Sequence, residues 1–271
     1  MDTNTMLGPQ RVAPDTTAIV SYSPLPGLGL LPVNSFVIHA AEPVLVDTGL
    51  PMLKDEYMKA LGAVIDPADL RWIWLSHMDA DHLGSLEAIQ ALAPKAKIVT
   101  NFLGMAKMML RSFDVSQVHL LEPGGHIDAG DRRLVPLKPA YFDAPETVGF
   151  FDTKTRVLFS ADAFGCLMQE TAAEAADIPE EAMFDGMATW AAIDAPWLGM
   201  VDRQVFGRVL ADIERLDPSA IIAGHLPVAR GVTKRVLASV DAAVGGGRIA
   251  APDRETIEAL LAGAPPPALA A

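Results

Sequence analysis

A single cysteine, Cys166, occurs in 271 residues, which excludes an internal disulfide framework. No uninterrupted apolar run reaches the roughly 20 residues that cross a bilayer, and the opening MDTNTMLGPQRV lacks the basic-then-apolar order of a secretory leader. The expected compartment is the cytoplasm, with no membrane partner. Basic residues are scarce. The 21 Lys and Arg against 34 Asp and Glu leave a net charge of −13, which argues against nucleic acid as a partner. No internal repeat stands out. What the chain has in quantity is apolar residues, 51% against 20% charged, enough for a large buried core in one domain or two small ones.

The patterning favours one domain over 1–271. Residues 17–46 read as short strands broken by the loop PGLGLLP, with a turn near 40–43, and end on VLVDTG, which puts Asp47 and Gly49 at a strand exit. Spaced Met52, Leu53, Tyr57, Met58 and Leu61 mark a weak helix over 51–62, and RWIWLS follows as a buried strand. That strand runs into HMDADHLGSLEAIQALAP. There Leu83, Leu86, Ile89 and Leu92 recur at helical spacing until Pro94, so residues 77–82 fall on a strand-to-helix loop. KIVT reads as a strand, GMAKMMLRSF as a helix and VHLLEPGGHIDAGDRRLVPLKP as strand, turn, strand. TVGFFDTKTRVLFSAD reads as two strands around a DTKT turn and delivers Asp162 to a loop. Residues 163–200 read as a mostly helical insertion and 201–216 as an amphipathic helix, and SAIIAGH as a strand ending on His225. One or two helices, interrupted at 245–247 by GGG, are predicted over 231–262, with a frayed tail from about 263. Strand blocks alternating with helices, with polar clusters at strand exits, predict a layered α/β domain.

His77, Asp79, Asp81 and His82 spell HxDxDH directly after a buried strand. Taken singly, each reads as a cap or a solvated residue. Together, and joined by Asp162 and His225 at two further strand exits, they read as a metal centre, because burying that many carboxylates without a cation is costly. His39, His119 and His126 read as packed, strand and turn residues, and Cys166 as a packed thiol. Tyr141, Phe142, Phe164, Met168, Trp190 and Trp197 are available either to roof a pocket or to fill a core.

These ordered motifs resemble the metallo-β-lactamase-like superfamily over about residues 17–230: VDTG at 46–49, the central motif at 77–82, Asp162 in FSADAFG, and a late GH at His225. The resemblance implies a four-layer αββα sandwich. Within the superfamily the chain is more similar to the di-iron branch, the β-lactamase-like domain of flavodiiron proteins and the stand-alone oxygen-binding di-iron proteins. Those carry a carboxylate at the place of Asp79 and an FSNDAFG-like segment. The branch's middle histidine has no counterpart, since no His lies between His126 and His225; aligned on Pro145 and Thr147, Asp143 in FDAPET occupies its place. The alternative for Asp143 is a turn-capping aspartate before Pro145. Asp47 resembles the buried aspartate that supports the metal loops by hydrogen bonding. The resemblance implies one ion on His77, Asp79 and Asp143, a second on Asp81, His82 and His225, and Asp162 between them, with Asp81 and Asp162 as the catalytic candidates.

Four carboxylates and three imidazoles favour two iron ions, with manganese or zinc as substitutes, over a tetrahedral structural zinc. The leading expectation is a non-haem di-iron protein that binds or reduces a small oxidant such as dioxygen, nitric oxide or peroxide. No flavodoxin-like segment or rubredoxin cysteine pair is legible, so electrons are expected from an external donor. The competing expectation is a binuclear metallohydrolase acting on an ester, lactone, thioester or phosphoester through metal-bound hydroxide. A third is a non-catalytic member that keeps its metal for stability. The resemblance also implies a homodimer, for which the Met-rich helix at 104–110 offers apolar surface.

Overall fold

A computed structural model describes residues 3–244 and 254–262. The chain opens with three long strands, β1 (Thr5–Ala13), β2 (Thr16–Leu25) and β3 (Gly29–Ile38), and a short β4 (Val44–Val46). Then come α1 (Lys54–Val64), β5 (Trp72–Trp74), α2 (Ala80–Leu83), α3 (Leu86–Leu92), β6 (Lys97–Thr100), α4 (Phe102–Leu110) and β7 (Val118–Leu120). These seven strands form one sheet in sequence order. Its first part is antiparallel; β4 to β7 are parallel, as the helices between them require.

A second sheet, in the order β13-β12-β11-β10-β9-β8, is built from β8 (Ile127–Asp128), β9 (Arg133–Leu137), β10 (Gly149–Asp152), β11 (Val157–Phe159), β12 (Ala220–Ala223) and β13 (Leu226–Arg230). Helices α5 (Glu180–Asp194) and α6 (Arg203–Leu216) separate β11 from β12, and α7 (Thr233–Ala243) and α8 (Arg254–Leu261) follow β13.

Alternation along the short strands sorts the core into layers. Phe36, Val46, Trp74 and Val99 meet Phe150, Phe159 and Ile222 between the sheets, while Val37, Leu45, Ile73 and Ile98 turn the other way onto Tyr57, Leu61, Leu86, Ile89 and Met108. Trp74 packs edge-on against Phe150 at 4.9 Å and donates its indole N–H to the Val148 carbonyl at 3.2 Å, so the two sheets are pinned next to the strand exits. Met183, Met187, Phe206, Leu210, Val236 and Val240 cover the outer face of the second sheet. The result is the expected αββα sandwich. No helix among the described residues is long and apolar enough to cross a membrane.

Four local readings are corrected. β1 lies N-terminal to the strand region assigned from sequence. As an edge strand it tolerates Gly8 and Pro9, which mask its pattern. β3 begins at Gly29 and continues through Pro32 rather than leaving 26–32 as a loop; β4 pairs with β3 only from Phe36 to Ile38, so Pro32 deprives no neighbour of a donor. The expected strand, turn, strand block at 118–139 is split, with β7 closing the first sheet while β8 and β9 open the second. Asp81 and His82 sit on the one-turn helix α2 rather than on a loop, while the 163–200 insertion is helical over 175–177, 180–194 and 196–200. The 245–247 interruption and the tail from 263 lie outside the described residues.

Candidate metal centre

All the sequence-predicted ligands leave the same ends of the two sheets. Asp47, immediately after β4, adopts a left-handed backbone (φ 56°), a conformation that costs a non-glycine residue of order 1–3 kcal/mol. Its buried carboxylate offsets this by accepting from the Ser76 N–H and the Ser76 hydroxyl, both at 2.8 Å, and by meeting His82 Nδ1 at 2.9 Å. Thr48 donates to the His82 carbonyl through both its N–H and its hydroxyl. Gly49 and Gly84 let the two loops close: a Cβ on Gly84 would sit 2.3 Å from the Gly49 carbonyl oxygen. The VDTG segment is therefore the scaffold of the HxDxDH segment, as expected of Asp47.

The second sheet brings the remaining groups to meet it. Val148 donates across the sandwich to the Ser76 carbonyl at 2.8 Å. Asn34 on β3 donates to the carbonyls of Ala223 and Leu226 and so holds the His225 loop against the first sheet. Gly224 carries no side chain where a Cβ would press on Asp162 Oδ1 and His82 Cε1, each at 3.1 Å. Trp190 of α5 donates to the Asp162 carbonyl at 3.1 Å, and its ring lies 4.8 Å from that of His225.

The hydrogen bonds on the far nitrogens fix which face each imidazole presents. His225 Nδ1 donates to the Pro32 carbonyl at 2.8 Å and His82 Nδ1 donates to Asp47. Ser76 Oγ gives its proton to Asp47 and accepts from His77 Nδ1 at 3.0 Å. Each ring thus turns Nε2 toward the centre. Asp162 lies among them, 3.3 Å from His77 Nε2, 3.2 Å from His82 Nε2 and 3.4 Å from His225 Nε2, and Asp81 approaches His82 and His225 Nε2 at 3.4 Å. Yet His77 Nε2, His82 Nε2 and Asp162 Oδ1 are buried without a hydrogen-bond partner. Buried polar atoms that crowd within 3.2 to 3.4 Å of one another without making hydrogen bonds are what a shared cation satisfies.

Donor atoms fall into overlapping sets, each within 4.8 Å: His77, His82 and Asp162; Asp81, His82 and His225; His77, Asp79 and Asp143; and Asp143, Asp162 and Asp194. All seven predicted ligands are therefore brought together. Asp143 also accepts from the Thr147 hydroxyl at 3.2 Å, so the turn-capping reading and the site reading of this residue coexist. Asp194, at the end of α5, escaped the sequence reading. The one signal was its position: a carboxylate closing an apolar helix opposes the macrodipole there. Ser76 and Asn34, which orient the ligand loops, were missed as well.

Electrostatics divide the cluster. Burial would raise the Asp162 carboxyl, but the three surrounding imidazoles hold it well below the ordinary range. Burial likewise disfavours charge on His82, yet Asp81, Asp162 and Asp47 raise it well above the usual value, and Asp162 and Asp81 raise His225 to about 9. Asp194 moves the other way, pushed up to about 7 by burial and by Asp162 and Asp143. Among the described residues none of Asp79, Asp81, Asp143, Asp162 and Asp194 pairs with a Lys or Arg. The donor set fits two divalent ions.

Of the aromatic candidates, Trp190 borders the centre directly, while Tyr141 accepts from the Phe164 N–H and Trp197 packs on Phe142. Cys166 is buried, as expected. His39 meets the Thr17 hydroxyl and His119 packs on Trp72, both away from the centre.

The model of the ODP family beta lactamase matches residues 31–225. The chain is 26% identical over 137 residues to the flavo-diiron protein FprA2 of Clostridium acetobutylicum, a match covering 49% of this chain and 34% of that protein. It is 28% identical over 134 residues to the anaerobic nitric oxide reductase flavorubredoxin of Aeromonas hydrophila, covering 49% and 27%. Matches thus span about a third or less of those relatives. Its fold superposes on the rubredoxin oxygen:oxidoreductase of Desulfovibrio gigas with a TM-score of 0.75 at 20% identity, over 87% of this chain and 60% of that one. With the strand-exit cluster and the αββα layers in place, the chain belongs to the ODP family of β-lactamase-like proteins.

Proposed function

We propose that this protein carries a dinuclear non-haem iron centre that binds or reduces a small oxidant, dioxygen or nitric oxide, with electrons from a separate donor. The observation that carries the reading is the convergence of three imidazole Nε2 atoms and unpaired carboxylates at one end of the sandwich. His77, Asp79 and Asp143 would hold one ion, Asp81, His82 and His225 the other, and Asp162 would lie between them. Bound iron would supply the electrons and the open positions that a diatomic needs. The chain's own contribution is placement and charge. Asp47 and Ser76 orient two imidazoles, the Pro32 carbonyl orients the third, and the carboxylates favour ions of higher charge. Trp190 packs against the His225 ring on that side.

The named relatives support the choice of oxidant, one being a nitric oxide reductase and a structural neighbour an oxygen oxidoreductase. Oxygen-rich ligation supports iron over zinc. The net charge of −13 supports a protein without a nucleic-acid partner, the single cysteine supports the cytoplasm, the alternation of strand blocks and helices supports one domain, and a homodimer would use Phe102, Leu103, Met109 and Leu110, which α4 leaves exposed.

The test is to load the full chain with ferrous iron anaerobically, add a dithionite-reduced mediator, and follow dioxygen and nitric oxide consumption together with the optical spectrum. Consumption that scales with iron content is expected. An unchanged spectrum and no uptake of either gas contradict the proposal.

A further inference from the structure

Asp194 ends α5 within 4.8 Å of the ligand oxygens of Asp143 and Asp162. Its Oδ2 is buried and has no hydrogen-bond partner. Asp143 is shared with a second set, His77, Asp79 and Asp143, in which the fully buried His77 leaves its Nε2 without a partner. We infer that Asp194 is an eighth ligand, an oxygen donor to the ion held by His77, Asp79 and Asp143. The assignment rests on the dinuclear reading above and extends it to the inserted segment.

The helix is built to deliver that carboxylate. Met183, Met187 and Ala191 are buried, which anchors α5 along its length, and Gly186 allows a close approach, since a Cβ there would sit 2.2 Å from the Leu167 carbonyl oxygen. Trp190 ties the same helix to the Asp162 carbonyl. Asp194 follows Trp190 by four residues, so the two share a face and the tie that positions one positions the other. A carboxylate at a helix C-terminus opposes the macrodipole, and the last turn of α5 holds no basic residue to offset it. A cation between Asp194, Asp143 and Asp162 resolves that cost.

The consequence is an unequal centre. The ion on the His82 and His225 side has two imidazoles, whereas the other has His77 as its only nitrogen among Asp79, Asp143, Asp162 and Asp194. Oxygen donors suit harder ions, so the Asp194 side should take manganese or iron in preference to softer ions. Here a carboxylate from the inserted helix, together with Asp143, does what a histidine would otherwise do.

The test titrates manganese(II) into the metal-depleted full chain, read by calorimetry and by the electron paramagnetic resonance of free manganese. Asp194→Asn, Asp194→Ala and, as a control on the exposed face of the same helix, Asp185→Asn are compared with wild type. Wild type should bind two ions. Asp194→Asn and Asp194→Ala should each keep one ion and weaken the other at least about tenfold, by analogy with the effects of disturbing metal-site partners, and Asp185→Asn should match wild type. Circular dichroism checks folding, and the isosteric Asp194→Asn decides if Asp194→Ala does not fold. Two ions bound by Asp194→Asn as tightly as by wild type would overturn the Asp194 assignment alone. A wild-type chain that binds fewer than two would overturn the dinuclear reading and the assignment with it.

Discussion

At the end of the sandwich away from the HxDxDH loop, Asp15, Asp131 and Asp152 close on Arg132, whose guanidinium is fully buried and reaches all three at 2.5 to 3.0 Å. Lys154 adds a second cation there. At the opposite end, where β4, β5, β11 and β12 finish, Asp79, Asp81, Asp143, Asp162 and Asp194 gather with no Lys or Arg paired to them among the described residues. Two like charges 4 Å apart repel by about 4 kcal/mol at an effective dielectric of about 20, so neither cluster is stable without positive charge. One end carries fixed positive charge on Arg132 and Lys154; the other holds only imidazoles, which gain charge by binding a proton and can exchange that proton for a metal ion. Acidity alone does not mark a site. What marks it is a set of carboxylates gathered around the buried Asp162 and three buried imidazoles, to which the described residues supply no Lys or Arg.

The largest expected effect comes from removing the residue on which that set centres. Asp162→Ala should lower metal content from about two ions per chain to about none while the chain still folds, because each ion loses the carboxylate between them. Manganese at a hundredfold excess over its dissociation constant should stabilise wild type by about 2.7 kcal/mol for each ion bound, and Asp162→Ala should show no such gain in thermal midpoint. Equal gains in both would break the comparison.

Next is the self-balanced end. Arg132→Met leaves Asp152 buried without its cation and should cost about 3–5 kcal/mol in urea unfolding, with metal content per folded chain unchanged. A loss of metal in this variant would show that the two ends are not independent. Asp47→Asn should act at the metal end only. It keeps the shape but weakens the acceptor that orients His82, and metal affinity should fall about 10- to 100-fold in a titration.

The smallest effect is in pH. Burial would raise the Asp15 carboxyl, but the hydrogen bond and charge of Arg132, with Lys154, hold it below the ordinary range; hydrogen bonds from Arg132 and Lys154 hold Asp131 well below it. Groups lowered on folding contribute stability that is full above the unfolded value of about 3.9 and is lost as pH falls further toward the folded values. With chelator present throughout, the urea midpoint of wild type should drop more between pH 5 and pH 3, a span of about two units around that value, than the midpoint of Arg132→Met. Parallel drops would contradict the role given to Arg132.

The metal end was far more legible in the sequence than the Arg132 end. His77 to His82 crowd four donors into six residues, and Asp162 and His225 follow apolar strands, so local pattern alone places them at strand exits. Asp15, Arg132 and Asp152 lie in or beside three separate turns, each reading as ordinary turn chemistry, and only the topology brings them together. Asp194 was hidden for the same reason, its role depending on where the 163–200 insertion folds back. β1 and the first half of β3 were obscured because Pro9 and Pro32 break a strand pattern without breaking the strand at an unpaired edge.

The most direct measurement is elemental analysis of iron and zinc in chain purified anaerobically from iron-supplemented and zinc-supplemented cultures. A centre rich in oxygen donors should hold about two iron ions per chain from both cultures. Two zinc ions whatever the supply, or one metal ion or none per chain, would contradict the dinuclear iron centre.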